Sequence, residues 1–186
     1  MKKNFFVLAI LFLIIFYSCK KSSQPTPPTP VTYTIGQLFG GGKIFYIDGT
    51  GQHGLIVSPS DQSLTPQQYS PGAFYGNHVL TNASSSSDGS TNTTKIINAQ
   101  GNTGTYAAKL CRDYGGGGFN DWFLPAKDQL YQLYIQRSVL GGGFSTVYWS
   151  STEGDIDSGW ILKFTDGLFE WSPKHGNRYV RAIRAF

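Results

Sequence analysis

The feature that most constrains the fold is the alternation of short apolar runs and polar turns in the last third of the chain. Within one run, Trp160, Leu162 and Phe164 fall on one face of a strand, while Ile161 and Lys163 fall on the other. This period of two, interrupted by turn-forming segments, is typical of an antiparallel sheet. The predicted strands cover residues 147–151, 159–164, 168–171 and 179–185.

An earlier glycine-rich stretch predicts a β-hairpin that opens the fold. The sequence GGGKIFYIDGTGQHGLIVSPSDQ holds two apolar runs, residues 43–48 and 54–58, on either side of a turn. The chain as a whole has 23 glycines and only 14% charged residues, which favours short strands and turns over a helical bundle or a disordered chain.

Two segments in the middle of the chain carry a helical period. Ala107, Leu110, Cys111 and Tyr114 stand at i, i+3, i+4 and i+7, and Gly115 is placed to end this helix in a left-handed cap. Cys111 therefore lies on the buried face, and we expect it to be a core thiol.

A second helix is predicted after the sequence DWFLP. Pro125 suits its first turn, and Trp122 is expected to pack the corner between the helices and the sheet. Leu130, Leu133, Tyr134 and Arg137 give this second helix the same i, i+3, i+4, i+7 spacing.

The polar stretch at residues 81–94 is predicted to be a loop that packs against nothing.

The start of the chain predicts export and lipid anchoring. Lys2 and Lys3 precede an apolar run that is too short for a comfortable membrane span and that ends at Ser18-Cys19. We expect residues 1–18 to be a lipoprotein signal peptide, Cys19 to be acylated and residues 19–32 to form an extended Pro/Ser/Thr-rich tether before a domain at residues 33–186. A signal peptide with an ordinary downstream cleavage site is the alternative.

The charge balance gives little support to a polyanionic partner. The formal charge of +4 falls to +2 if Lys2 and Lys3 leave with the signal peptide. We therefore expect no nucleic-acid partner.

Several motifs then resemble one family in their order along the chain. GGKIFYIDGTGQHGLIVSPSDQS, DWFLPAKDQLYQLY, YWSSTE, GWILKFTDG and YVRAIRAF are similar to the bacterial domain family named after the C-terminal domain of collagen-like adhesins (the Lcl C-terminal-like family), a domain of unknown function. The resemblance implies a C-type lectin-like α+β fold, with two helices packed on a twisted antiparallel sheet and the chain ends close together. Many members have arginine at the position of Phe123 and a capping serine or threonine at that of Ala126.

Catalytic motifs for hydrolases, zinc proteases and phosphate binding are absent from the sequence. The lectin-like fold includes formylglycine-generating enzymes, but these need reactive cysteines, and Cys111 is the one thiol of the mature chain besides the acylated Cys19. We therefore expect a protein that is not an enzyme and that requires no cofactor, with calcium as a candidate ligand.

Three groups of residues remain as candidate binding sites. Trp171 is the tryptophan expected to lie outside the core, where it would stack on a glycan. The basic residues Lys174, His175 and Arg178 share a loop beside it, and the acidic residues Glu153, Asp155 and Asp157 are spaced as calcium ligands on another loop.

These features predict a lipid-anchored protein of the cell envelope, most naturally of the outer membrane. Its domain would be a non-enzymatic binding or adhesion module for glycans or a surface protein. A structural subunit of a surface assembly is the alternative. An exposed aromatic cluster bordered by polar loops would favour glycan binding, whereas a long flat apolar face would favour assembly.

Overall fold

The computed structural model describes residues 31–71 and 79–186. The chain divides into two compact units, Met1–Pro30 and Val31–Phe186, and the described residues belong to the second. The predicted signal peptide, Cys19 and nearly all of the tether lie outside the described residues. In the part of the chain that is described, no helix is long and apolar enough to cross a membrane.

The described residues form a mixed α+β domain, as predicted. The three α-helices are α1 (Gly89–Gln100), α2 (Ala107–Arg112) and α3 (Lys127–Gln136). The strands are β1 (Leu38–Phe39), β2 (Gly42–Ile47), β3 (Gly54–Val57), β4 (Val147–Glu153), β5 (Ser158–Lys163), β6 (Phe169–Pro173) and β7 (Ile183–Ala185).

The strands build two antiparallel sheets, where the sequence predicts one. The first sheet has the order β1-β2-β3-β7 and the second the order β4-β5-β6. The difference arises at the end of the chain, because β7 pairs with β3, with Leu55 opposite Ala185 and Val57 opposite Ile183. Strand alternation shows that a segment is extended, but it does not show which strand it pairs with.

The closing segment links the two sheets before it becomes β7. Tyr179 pairs with β4 in a parallel bridge, and Val180 accepts a hydrogen bond from the Gln62 N–H at 2.8 Å. The predicted strand 179–185 is therefore regular only at Ile183–Ala185. Phe186 exchanges two backbone hydrogen bonds with Gly54, and its ring lies 4.8 Å from that of Tyr33, so the two ends of the domain meet as expected.

Helix α2 forms where its spacing predicts, with Ala107 and Cys111 fully buried. Its end differs from the prediction, because Gly115 has φ −103° and is not left-handed. The left-handed turn comes two residues later at Gly117, where a Cβ would stand 2.5 Å from the Gly41 Cα. Two backbones touch there, which explains why both positions are glycine.

Helix α3 also forms as predicted, with Leu130 and Leu133 buried. Pro125 lies two residues before its first residue rather than inside its first turn. The missing cap at Ala126 is replaced in part by Gln129, whose Oε1 accepts the Ala126 N–H at 2.9 Å. Trp122 is completely buried and donates from Nε1 to the Gly116 carbonyl at 3.1 Å, so its predicted packing role is confirmed.

Helix α1 was not predicted, and it begins inside the stretch that we expected to be a loop. Asp88 caps its N-terminus by accepting the Thr91 N–H at 2.9 Å. Its buried positions are Gly89, Asn92, Thr93 and Ile96, which keep the i, i+3, i+4, i+7 spacing although two of the four are polar.

Two hydrophobic clusters lie on opposite faces of the sheets. Helices α1 and α2 pack with the first cluster, which contains Ile44, Trp122 and Trp149. Helix α3 packs with the second, which contains Phe45 and Tyr148. One flank of α3 lies beside the solvent-exposed face of β5 and β6, and the candidate site is at this place.

Candidate ligand-binding surface

A chain of aromatic rings runs across β5 and β6 to helix α3. Trp160 and Trp171 are cross-strand partners with ring centroids 5.4 Å apart, and Trp160 lies 6.4 Å from Phe169. Phe169 lies 5.9 Å from Tyr131 of α3. We call Tyr131, Trp160, Phe169 and Trp171 the aromatic surface.

Backbone geometry aligns these rings. Phe169 and Trp171 are two residues apart on β6 and therefore face the same side of the sheet, and the register of β5 places Trp160 on that side. Tyr131 lies one turn of α3 after Lys127, so both project from the same flank of the helix.

Lys127 adds a positive charge to the aromatic surface. Its Nζ lies 3.9 Å from the ring centroid of Trp160 and 4.8 Å from that of Phe169, which are cation–π distances. The ammonium group and the rings hold one another in place.

The aromatic surface is open to solvent. Trp171 is 56% exposed and Tyr131 is 40% exposed, and Leu168 beside them is 57% exposed. The predicted exposure of Trp171 is thus confirmed. Tyr148 and Trp149, the other aromatic residues of this region in the sequence, are fully buried. Lys127 and Tyr131 were not predicted as site residues, although their spacing of four residues places both on one flank of a helix.

Lys174 and Glu153 were predicted to belong to two different binding sites, but the structure places them against each other. Lys174 Nζ lies 2.6 Å from Glu153 Oε1, and their side chains are 0% and 4% exposed. The Thr81 N–H donates to both carboxylate oxygens of Glu153, at 2.8 and 3.1 Å. Neither side chain is accessible to a glycan, so we leave both out of the candidate site.

The two other predicted calcium ligands lie in an exposed turn after β4. Asp155 Oδ1 accepts hydrogen bonds from the Asp157 N–H and from the N–H and hydroxyl of Ser158, at 2.7 to 2.8 Å. Hydrogen bonds from Ser158, and then from Asp157, hold the pKa of Asp155 below its ordinary value. Across residues 31–71 and 79–186, no three His, Cys, Asp or Glu side chains are grouped so that they could hold a metal ion.

The basic residues of the last third are mostly engaged within the domain. Lys163 pairs with Glu170 at 2.6 Å, Arg181 with Asp61 at 2.9 Å and Arg184 with Asp121 at 2.7 Å. The predicted loop residues His175 and Arg178 are half-buried, and the Arg178 guanidinium donates to the Asn177 carbonyl at 2.7 Å. The structure therefore does not bring the predicted basic loop together as an open cationic patch.

Cys111 is a core residue, as predicted. It is fully buried, and burial raises the pKa of its thiol well above the ordinary value. The thiol stays protonated at neutral pH, which is unfavourable for nucleophilic chemistry.

A cleft of about 560 Å³ opens on the other flank of α3. The residues that line it include the apolar Leu55 and Phe186 and the acidic Asp48 and Asp128. Both carboxylates already accept hydrogen bonds, Asp48 from the Thr50 hydroxyl and Asp128 from the Ser86 hydroxyl, each at 2.6 Å. We take the aromatic surface as the candidate site because its rings form one continuous contact with both ends exposed.

Comparison of the chain with protein-family models and with curated proteins gives no match.

Proposed function

We propose that this chain is a cell-envelope lipoprotein whose C-type lectin-like domain is a non-enzymatic binding or adhesion module, and that the aromatic surface binds glycans. The observation that carries the proposal is the unbroken ring contact from Tyr131 to Trp171, with both end residues exposed. Aromatic faces are suited to the apolar faces of sugar rings, and Tyr and Trp add polar edges. The Ser18-Cys19 signal and the tether support the anchoring.

Two further observations favour binding over catalysis. The thiol of Cys111 is buried and protonated, so it is unsuited to the reactive-cysteine chemistry of formylglycine-generating enzymes. The aromatic surface is an open platform with one charged group, Lys127, rather than a pocket of convergent titratable groups.

The experiment is a glycan-array screen of residues 31–186, run with calcium and again with chelator. This segment contains both hydrophobic clusters, so we expect it to fold on its own. We expect binding that resists the chelator, because the aromatic surface contains no carboxylate. Trp171→Ala should weaken binding about fivefold, since a stacked aromatic contributes roughly 1 kcal/mol.

Leu168→Ala is the matched control, because Leu168 is as exposed as Trp171 but is not part of the ring chain. It should bind like the unchanged protein. Equal binding by the Trp171 and Leu168 variants would contradict the proposed site, and no binding to any glycan would favour the alternative, a structural subunit of a surface assembly. An exposed apolar surface on an outer strand is the observation that favours this alternative.

A further inference from the structure

Strand β6 is the outer strand of its sheet, and the hydrogen bonds of the adjoining turn show which way its backbone groups point. The Lys163 N–H donates to the Leu168 carbonyl at 3.0 Å, and the Gly167 N–H donates to the Lys163 carbonyl at 2.8 Å. Lys163 therefore directs both of its backbone groups toward β6.

The direction of the backbone N–H and C=O groups alternates along a strand, so the direction at Lys163 determines the direction at the other residues of β5 and β6. Ile161, two residues before Lys163, also directs its groups toward β6, where its partner is Glu170. Phe169 and Trp171 flank Glu170, so their N–H and C=O groups point out of the sheet. Among the described residues, no group pairs with the N–H of Phe169 or Trp171.

The exposed edge of β6 coincides with exposed apolar side chains. Trp171 and Leu168 are each more than half exposed, and Phe169 is partly exposed. An edge strand with free backbone groups and apolar side chains is a template for pairing with another strand.

We propose that the strand that pairs with β6 is β6 of a second copy of this chain, related by a two-fold axis beside Trp171. In this antiparallel pairing the Trp171 N–H of each copy donates to the Trp171 carbonyl of the other. The Phe169 N–H of each copy donates to the Pro173 carbonyl of the other, and this carbonyl also accepts the Gly176 N–H of its own chain at 2.7 Å. The two three-stranded sheets become one sheet of six strands.

Charge selects this register over its neighbour. A two-fold axis beside Glu170 would also form four hydrogen bonds, but it would place the two Glu170 residues directly opposite each other. Such a non-hydrogen-bonded pair has Cα atoms about 4.5 Å apart, and like charges there are destabilising. With the axis beside Trp171, Glu170 faces Ser172 and the two tryptophans form an aromatic cross-strand pair.

Self-pairing also has a geometric consequence for the molecule. The side chains of both Trp171 residues lie on the same face of the joined sheet, so two aromatic surfaces become neighbours. The dimer does not depend on glycan binding, and its test uses no glycan. A short strand buries little area, so we expect a weak dimer that forms at high micromolar concentration.

The first test places single cysteines on segment 31–186 and follows disulfide cross-linking under mild oxidation. In the proposed register Trp171→Cys stands opposite itself at a Cα separation of about 5.5 Å, within the range of disulfides. We expect it to cross-link at least about tenfold faster than Leu168→Cys, a position of the same exposure. The unchanged segment should not cross-link because Cys111 is buried.

The second test measures the oligomeric state by sedimentation at concentrations up to about 1 mM. The unchanged segment and Leu168→Lys should dimerise, and Trp171→Lys, which would place two lysines opposite each other, should remain monomeric. Circular dichroism of each variant verifies folding. A segment that stays monomeric up to the highest concentration, or a Trp171→Cys variant that cross-links no faster than Leu168→Cys, would overturn the proposal.

Discussion

At the scale of single residues, the ion pair of Lys174 with Glu153 is the most deeply buried charge interaction of the described residues. Lys174 also donates to the Val79 carbonyl at 2.9 Å. Removing both charges from water is costly, and the surrounding hydrogen bonds offset that cost. The pair joins three separate segments: the end of β4, the turn after β6 and the chain at residues 79–81.

Removing one member of this pair should destabilise the domain strongly. We expect Glu153→Gln to lower the free energy of unfolding by about 3–5 kcal/mol, because Lys174 would remain buried without a counter-charge. Urea unfolding of residues 31–186 measures this change. The control is Glu170→Gln, which removes the partner of the partly exposed Lys163 and should cost less than about 1 kcal/mol. Equal losses in the two variants would show that burial of the pair is unimportant.

The same pair shows where sequence reasoning fails at this scale. Charged residues are seldom buried, so Lys174 and Glu153 were reasonably assigned to surface loops. They are 21 positions apart, and only the folded chain shows that they meet. Trp122 and Cys111 were predicted correctly because an apolar residue on an apolar helical face or corner leaves few alternatives.

At the scale of elements, α1 shows how the buried face of a helix can include polar residues. Asn92 Nδ2 donates to the Ser85 carbonyl at 2.7 Å, and the Leu124 N–H donates to the Thr93 hydroxyl at 3.0 Å. Buried polar groups are tolerated when they have such partners. A search for apolar periodicity alone cannot find this helix, although Asp88 was a visible capping signal.

The Asp88 cap gives a prediction that depends on pH. Asp88→Ala should lower the free energy of unfolding at pH 7 by about 1 kcal/mol, because the first turn of α1 loses its acceptor. Hydrogen bonding from Thr91 holds the pKa of Asp88 below its ordinary value in the folded state. A carboxyl with a lowered folded pKa stabilises the fold above its unfolded pKa and loses this effect as the pH falls through the folded pKa.

The difference in the free energy of unfolding between Asp88→Ala and the unchanged protein should therefore become smaller as the pH falls below about 4. Urea unfolding at several pH values measures this difference. Asp88→Asn is the control, because asparagine also caps helices but carries no charge, so its stability at pH 7 should stay close to that of the unchanged protein. A loss for Asp88→Ala that is the same at pH 7 and pH 3 would contradict a role for the ionised carboxyl.

The strands show a similar division between what was and was not predictable. Alternation predicted β2, β3, β4 and β5 to within two residues at their ends. It did not predict that β7 joins β3, because the edge that a strand joins depends on long-range pairing. The aromatic surface was only partly predictable for the same reason: Trp171 could be named from its strand, but Tyr131 reaches it from a helix 40 residues away.

At the scale of the whole domain, the two hydrophobic clusters are tied together by the strands between them. Adjacent residues of one strand enter different clusters: Ile44 and Phe45 of β2 do so, as do Ile161 and Leu162 of β5. Because the two clusters share these strands, unfolding of the strands on the side of one cluster would also expose the side chains of the other cluster. The domain should therefore unfold in one cooperative transition.

Truncation in either cluster tests this cooperativity. Ile96→Ala acts on the first cluster and Leu133→Ala on the second, and each should lower the free energy of unfolding by about 2–5 kcal/mol, because a buried cavity replaces the side chain. For both variants, tryptophan fluorescence and far-UV circular dichroism should give the same urea midpoint. Leu64→Ala, at a fully exposed position, should leave the midpoint unchanged. If the Leu133 variant showed a dichroism change at lower urea than its fluorescence change, the clusters would unfold separately, and the strands would not couple them.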